Sequence, residues 1–542
     1  MESKIKGNLV DVHERIIYPA VITIIEGKIV NIEKTNEVFE SFILPGLIDS
    51  HVHIESSMLT PSGFAHIAVQ HGTIGVVSDP HEIANVIGAE GVEFMIRNGK
   101  TIPFKFFFGA PSCVPATEFE SSGGQINPED VDDLLKREDV YFLSEMMNFP
   151  GVINGNKEIG LKIASAHKYS KPIDGHAPGL TGKDLEMYIK AGITTDHECV
   201  SLDEAVEKIS HGMRIQIREG SAARGFDLFS ELIGTFPEMV MLCTDDLHPN
   251  DLVKGHINLL LARGVAKGIN IFDLLNAACL NPVLHYNLPV GLLRIGDPAD
   301  LIVVNDLKQF EVLSTYINGE LVYNGDKTIF NQVHSNIDKE FRTKHITQDE
   351  IVVPAKEDNI RVIEVFDGEL FTGNRVFKAK IQNGIALADT RRDICKIVVV
   401  NKYELNQPAV GFITGFGLKH GALAGSVAHD SHNVIAVGTN DEDIENAINK
   451  VIDMKGGLAA FSDDQNMSLQ LEIAGLMTNR DGRVVAGEYS DIENFAKSLG
   501  SKLRAPFMSL SFMALLVIPE LKIGDKGLFD VANFSFTSLF VK

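Results

Sequence analysis

The chain has 542 residues, a formal net charge of −24, 44% hydrophobic residues and 23% charged residues. Such a length allows about two to four domains with large cores, and the composition excludes a disordered chain. A surface this acidic repels phosphate backbones and no basic stripe offsets it, so no nucleic-acid partner is expected.

In chain order, residues 21–25 and 28–32 read as short strands around Glu26-Gly27, the signature of a hairpin. A matching block returns much later, with strands at 301–305, 315–317 and 321–323 and a second turn at Asn318-Gly319. The two blocks suit one small β domain, built from residues 1–42 and 296–350, with everything between them inserted into it. The insertion, residues 43–295, carries eight short apolar runs at 43–54, 73–79, 104–111, 140–146, 172–176, 193–197, 213–219 and 239–245. Helical patterns at 61–71, 184–191, 202–211 and 251–267 separate several of them. Alternating strand and helix predicts a parallel sheet with right-handed crossovers. Eight units in this length predict a (β/α)8 TIM-like barrel, with a doubly wound open sheet as the structural alternative. Residues 351–542 change character. Strands at 360–366 and 396–400 and a helix at 441–454 predict a C-terminal α+β domain.

The five cysteines, Cys113, Cys199, Cys243, Cys279 and Cys395, are scattered and form no CxxC pair, so reduced thiols in a cytoplasmic protein are expected. The first twenty residues lack an apolar core of signal-peptide type, and no stretch of 18 apolar residues occurs, so no membrane partner is expected.

The sharpest motif is His51-Val52-His53 at the end of the first apolar run. Residues i and i+2 of a strand share a face, so two imidazoles can converge on one cation. Other runs end alike, in Ser144-Glu145-Met146, Asp174-Gly175-His176, Asp196-His197-Glu198 and Thr244-Asp245-Asp246. In a parallel barrel these ends lie on one face, where active sites are built. Histidines with carboxylates there suit zinc, manganese or iron. The second run ends in Ser78-Asp79-Pro80-His81-Glu82, whose side chains either reach substrate or order the loop. The stretch Gly425–Asn433 holds His429, Asp430 and His432, and either contacts substrate or forms a polar turn. Gly99-Lys100-Thr101 lacks the earlier glycine of a phosphate loop, since Phe94 stands there, and the deaminase zinc signature H-x-E with P-C-x-x-C is absent.

These residues together resemble the amidohydrolase superfamily: PGLIDSHVHIE at the first run, and GDPADLIVVN on re-entry to the small domain. The runs HVHIESSMLTP, SDPHEIANV, DGHAPGLTG, TDHEC, CTDDLHPN and SVAHDSHNV are similar to the branch that deaminates adenine, and the likeness spans the whole chain. The resemblance implies two metal ions per chain, with manganese the first expectation and iron or zinc compatible. His51 and His53 would hold one ion and His176 and His197 the other, with Asp245 on the first. The superfamily's usual bridging group is a carboxylated lysine at the fourth strand. Residues 140–147 contain no lysine, and Glu145 is the natural bridge. The implied reaction is hydrolysis of adenine to hypoxanthine and ammonia by a metal-activated hydroxide, with Asp245, Glu82 and Asp246 moving protons. His81, Asp79, His429, Asp430 and His432 would bind the purine, and a homodimer is expected. A cyclic-amide hydrolase of the dihydroorotase or hydantoinase kind is the alternative. A non-catalytic metal-binding protein is the third reading.

Overall fold

The computed structural model describes residues 2–337, 341–463 and 465–542. Strands β1 (Glu2–Asp11), β2 (Ile16–Ile25), β3 (Lys28–Lys34) and β4 (Phe42–Pro45) share one sheet with β13 (Leu301–Val304), β14 (Val312–Ile317) and β15 (Glu320–Tyr323). The order is β15-β14-β13-β4-β1-β2-β3, so the two ends of the inserted segment meet at the β13–β4 pair. Both expected turns form. Glu26 and Gly27, and likewise Asn318 and Gly319, all have positive φ, the combination that matches the twist of a two-residue hairpin. The turns also pack on each other: a Cβ on Gly27 would lie 2.5 Å from the Asn318 carbonyl oxygen. Glycine is therefore required here by contact as well as by conformation.

The predicted run 43–54 is two strands, not one. It leaves the small sheet after β4 and enters the next sheet as β5 (Leu47–Val52). Gly46 makes the crossing, and a Cβ there would meet Ile74 at 2.5 Å. Strand β5 heads a parallel sheet with β6 (Thr73–Ser78), β7 (Lys105–Ala110), β8 (Val140–Met146) and β9 (Ile173–Gly175). Strands β10 (Thr195–Asp196), β11 (Arg214–Arg218) and β12 (Val240–Cys243) form a second parallel sheet. Parallel bridges Ile173–Ile193 and Val52–Asp245 join the two sheets at both seams, an arrangement that fits a TIM-like barrel. The expected helix 251–267 is broken into Pro249–Leu252 and Ile257–Ala266, because His256 adopts a non-helical backbone between them.

The C-terminal region is mostly sheet, more so than the α+β expectation. Nine strands form one sheet in which Ala422–Gly425 and Val434–Gly438 are adjacent and antiparallel. Three helices, Asp441–Asp453, Gly482–Ser498 and Pro506–Ser511, accompany it. Both of those strands are fully buried, so the segment joining them is delivered against the barrel rather than to solvent. One apolar cluster runs without a break from Val52 and Phe64 of the barrel to Met513 and Leu515 of the C-terminal region. No helix among the described residues is long and apolar enough to cross a membrane.

Candidate metal centre

Six of the singled-out side chains meet at the C-terminal ends of the barrel strands. His51 and His53 leave β5 on one face, and their Nε2 atoms lie 3.3 Å apart. Asp245 Oδ1 is 3.5 Å from His51 Nε2 and 3.0 Å from His53 Nε2. Directly after β9 and β10, His176 Nδ1 and His197 Nε2 also lie 3.3 Å apart. Glu145, from β8, stands between the two pairs. Its Oε2 is 2.8 Å from His176 Nδ1 and 3.1 Å from His197 Nε2, while its Oε1 is 3.3 Å from His53 Nε2. Glu145 and Asp245 are each only 3% exposed.

The donor set fits divalent cations. Four imidazoles and two carboxylates, all buried, point ring nitrogens and oxygens at one another, and ligand atoms of His51, His53 and Asp245 lie within 4.8 Å of each other, as do those of His51, Glu145 and His197. Such mixed nitrogen and oxygen sets suit zinc, manganese or iron. On the outer side, His53 Nδ1 donates to the Asp79 carbonyl oxygen, the usual way a ligating ring is oriented. His51 Nδ1 and His197 Nδ1 are buried without a hydrogen-bond partner.

Packing beneath the site explains why the chain presents these groups. The backbone of Asp245 closes a barrel seam: its N–H donates to the His51 carbonyl oxygen and its own carbonyl accepts from His53 N–H. Its φ of 57° turns the side chain inward, a conformation that aspartate tolerates better than most residues. Asp49, buried in β5, accepts from the N–H groups of Thr244 and His51. Lys208, from helix Leu202–Ser210, is fully buried and ion-pairs with Asp196 and Glu204 while donating to the Ala177 carbonyl oxygen. It ties the chain beside His176 to the chain beside His197. Lys208→Met leaves two buried carboxylates unpaired, and the expected loss of stability is about 3–5 kcal/mol. Chemical denaturation checks this, and a loss below about 1 kcal/mol would show the pairs to be marginal.

The electrostatics follow from burial and crowding. Burial pushes the Asp245 carboxyl up, but Arg218, then His51 and His53, outweigh it and hold it well below the usual carboxylate range. Burial also raises Glu145, and His176 and the other facing imidazoles reverse that. Asp246 is pushed up to about 6, first by burial and then by repulsion from Asp245. His197 loses by burial and gains more from Glu145, reaching about 9.

The residues expected to bind substrate, and Glu82 and Asp246, expected to move protons, divide. Glu82, at the start of helix His81–Ile87, is 2.6 Å from His429 Nδ1 through Oε1 and contacts His432 Nε2 through Oε2. The C-terminal segment therefore clasps the barrel at Glu82. His81, His429, Asp430 and Asp246 line an inner cavity of about 20 Å³ with Phe512 and Leu370. Asp79 and His432 are not on that lining. Asp79 Oδ2 accepts from His81 Nδ1 at 2.9 Å and orients that ring. His432 reaches the cavity only through Glu82. Asp246 Oδ1 accepts from Ser56 Oγ at 2.5 Å.

Two residues of the site, Arg218 and Phe512, were not singled out from the sequence. Arg218 ends β11 and pairs with Glu198 and Asp245. It stands at a strand end on the same barrel face, so the rule that located Glu145 applies equally to it. Phe512 stacks on His429 with ring centroids 4.5 Å apart. No local pattern marks it, because it arrives from 80 residues further along the chain.

The chain matches the amidohydrolase family over residues 42–322 and the adenine deaminase C-terminal domain over residues 369–535. It is 52% identical to an adenine deaminase of Methanosarcina barkeri, over 99% of each chain. It is 51% identical to one from Salinibacter ruber, again over 99% of each. A third, from Borreliella burgdorferi, is 47% identical over 98% of this chain and 99% of the relative.

Proposed function

The chain belongs to the amidohydrolase family, in its adenine deaminase branch, and hydrolyses adenine to hypoxanthine and ammonia; we propose that the six converging side chains are its metal ligands and that Asp245 moves the protons. In this reading His51, His53 and Asp245 would hold one divalent ion and His176 and His197 a second, with Glu145 placed to serve both. Manganese is the proposed metal, with iron or zinc compatible with the donors. The observation that carries the proposal is the placement of Glu145, with one oxygen toward each imidazole pair. Bound divalent ions lower the pKa of water and supply hydroxide near neutral pH. The two seams support a closed (β/α)8 barrel over residues 43–295, flanked by the composite sheet of residues 1–42 and 296–350 and by residues 351–542.

Adenine is a neutral heteroaromatic amine. Hydrolysis forms a C6–O bond, breaks the C6–N6 bond and moves two protons from water to the purine and its amine. Asp245 is ionised and directs Oδ1 at the centre, so it accepts the first proton. Asp246 stands beside it, raised by burial and by repulsion from Asp245, and is the second carboxyl placed to carry a proton. Glu82, kept ionised by His429, His432 and His81 against burial, offers an acceptor to the purine edge. The inner cavity holds about one water and not a purine. The C-terminal region supplies Leu370, His429, Asp430 and Phe512 to the walls of this cavity. His432→Ala breaks the clasp on Glu82. It is expected to lower kcat about 10- to 100-fold at unchanged metal content; steady-state kinetics with metal analysis on the same sample checks this.

Manganese-loaded protein given adenine is expected to release hypoxanthine and ammonia in equal amounts, and a chelator should abolish both. Turnover that survives complete metal removal would overturn the metal reading. Ring opening of a cyclic amide, with no turnover of adenine at full occupancy, would move the substrate assignment. The relatives above give that second chemistry no support.

A further inference from the structure

Arg218 is the one guanidinium in contact with the site's carboxylates among the described residues, and nothing in the ligand set accounts for it. Its Nη1 donates to Asp245 Oδ2 at 2.7 Å and to Glu198 Oε1, and its Nη2 donates to Glu198 Oε2 at 3.1 Å. Glu198 thus grips both terminal nitrogens and fixes the plane of the guanidinium. The fixed plane in turn fixes Asp245 Oδ2, leaving Oδ1 on the side of His51 and His53. A freely rotating carboxylate would present either oxygen.

We propose that Arg218 is a positioning residue for the hydrolysis: held by Glu198, it pins Asp245 Oδ2 so that Oδ1 alone faces the centre. The inference rests on the assignment of Asp245 above. The fork geometry sets the requirement. An ammonium is a point charge and cannot reproduce a planar contact to two carboxylates at once.

The location of Arg218 makes the idea testable. It lines an outer cavity of about 550 Å³, which also reaches His197, Glu198 and Leu370 and so adjoins the inner one. Truncating the side chain opens space to that cavity, and a free guanidinium ion can enter it.

The test uses full-length, metal-loaded protein with adenine, and the parent enzyme is measured alongside. Arg218→Ala is expected to lower kcat about 10- to 100-fold, with KM near the parent value and metal content unchanged. Millimolar guanidinium chloride should restore part of kcat in a saturable way, while sodium chloride or urea at equal concentration should not. Arg218→Lys should remain low. Glu198→Gln keeps the arginine but loosens its grip. It should lower kcat with metal retained and should not respond to guanidinium, and it serves if Arg218→Ala does not fold. A folded, metal-loaded Arg218→Ala with parental kcat, a loss confined to KM, or no rescue by guanidinium would overturn the proposal. So would a metal-loaded Glu198→Gln with parental kcat. Adenine turnover by the parent separates each of these from failure of the functional reading.

Discussion

Glu145→Gln is expected to abolish measurable deamination and to reduce the bound metal from two ions per chain to at most one. The argument is geometric first. Glu145 Oε2 faces His176 and His197, and Oε1 faces His53, so one carboxylate serves both imidazole pairs. An amide of the same shape offers one oxygen and one NH₂ group. Whichever way it turns, it presents a donor to one of the two pairs and so opposes a cation there. The charge argument points the same way. Without Glu145 the four imidazoles retain only Asp245, which is already paired with Arg218. Loss of an outer-shell partner lowers activity about 10- to 100-fold, so loss of a shared ligand should exceed about 100-fold. Metal analysis with steady-state kinetics on one sample decides it. A variant that keeps two ions and more than a tenth of the parental rate would remove Glu145 from its assigned place. Glu145→Asp is a useful companion, because the shorter side chain keeps the charge but cannot reach both pairs.

The second large effect is expected at Asp245. Asp245→Asn should lower kcat by about 10²–10⁴-fold, the usual weight of a positioned acid–base group, while KM stays near the parental value. Equal loss in kcat and kcat/KM marks an interaction made in the transition state. Asparagine is the right substitution here. The backbone of Asp245 has a φ of 57° and closes a barrel seam, and asparagine accepts that conformation where alanine would strain it. The seam can persist, but the amide presents its NH₂ group either to Arg218 or to His51 and His53, so the effect on kcat is read only at full metal loading. Near-normal kcat at full metal loading would sink the assignment of Asp245 as the proton carrier.

Much of the site is legible in the sequence because a parallel barrel gathers its strand ends on one face. His51, His53, Glu145, His176, His197 and Asp245 each follow an apolar run directly, so locating the runs locates the site. The same local logic is weaker at strand limits. It cannot see that Gly46 breaks one apolar run into two strands, since the reason is Ile74, a residue distant in sequence. Strands β9 and β10 are shorter than their apolar runs at both ends. Asp79 shows a different limit. Its position in the motif suggests substrate, and the fold shows in addition that both its oxygens accept from His81. Lys208 and Phe512 leave no trace in periodicity. Lys208 reads as an ordinary helix lysine until the fold buries it between Asp196 and Glu204. In the C-terminal region the cluster of His429, Asp430 and His432 was conspicuous, while its target, Glu82, lies some 350 residues earlier and could be joined to it only in three dimensions.

The central claim is a two-ion centre organised around a shared Glu145, and a metal titration tests it most directly. Metal-free protein is given manganese in measured steps, and bound metal and the rate of hypoxanthine formation are determined at each step. Activity should rise until two ions are bound per chain and then level off, and Glu145→Gln should show no such rise. Full activity at one ion per chain, or a rise in Glu145→Gln that follows the parent, would contradict the shared-ligand centre.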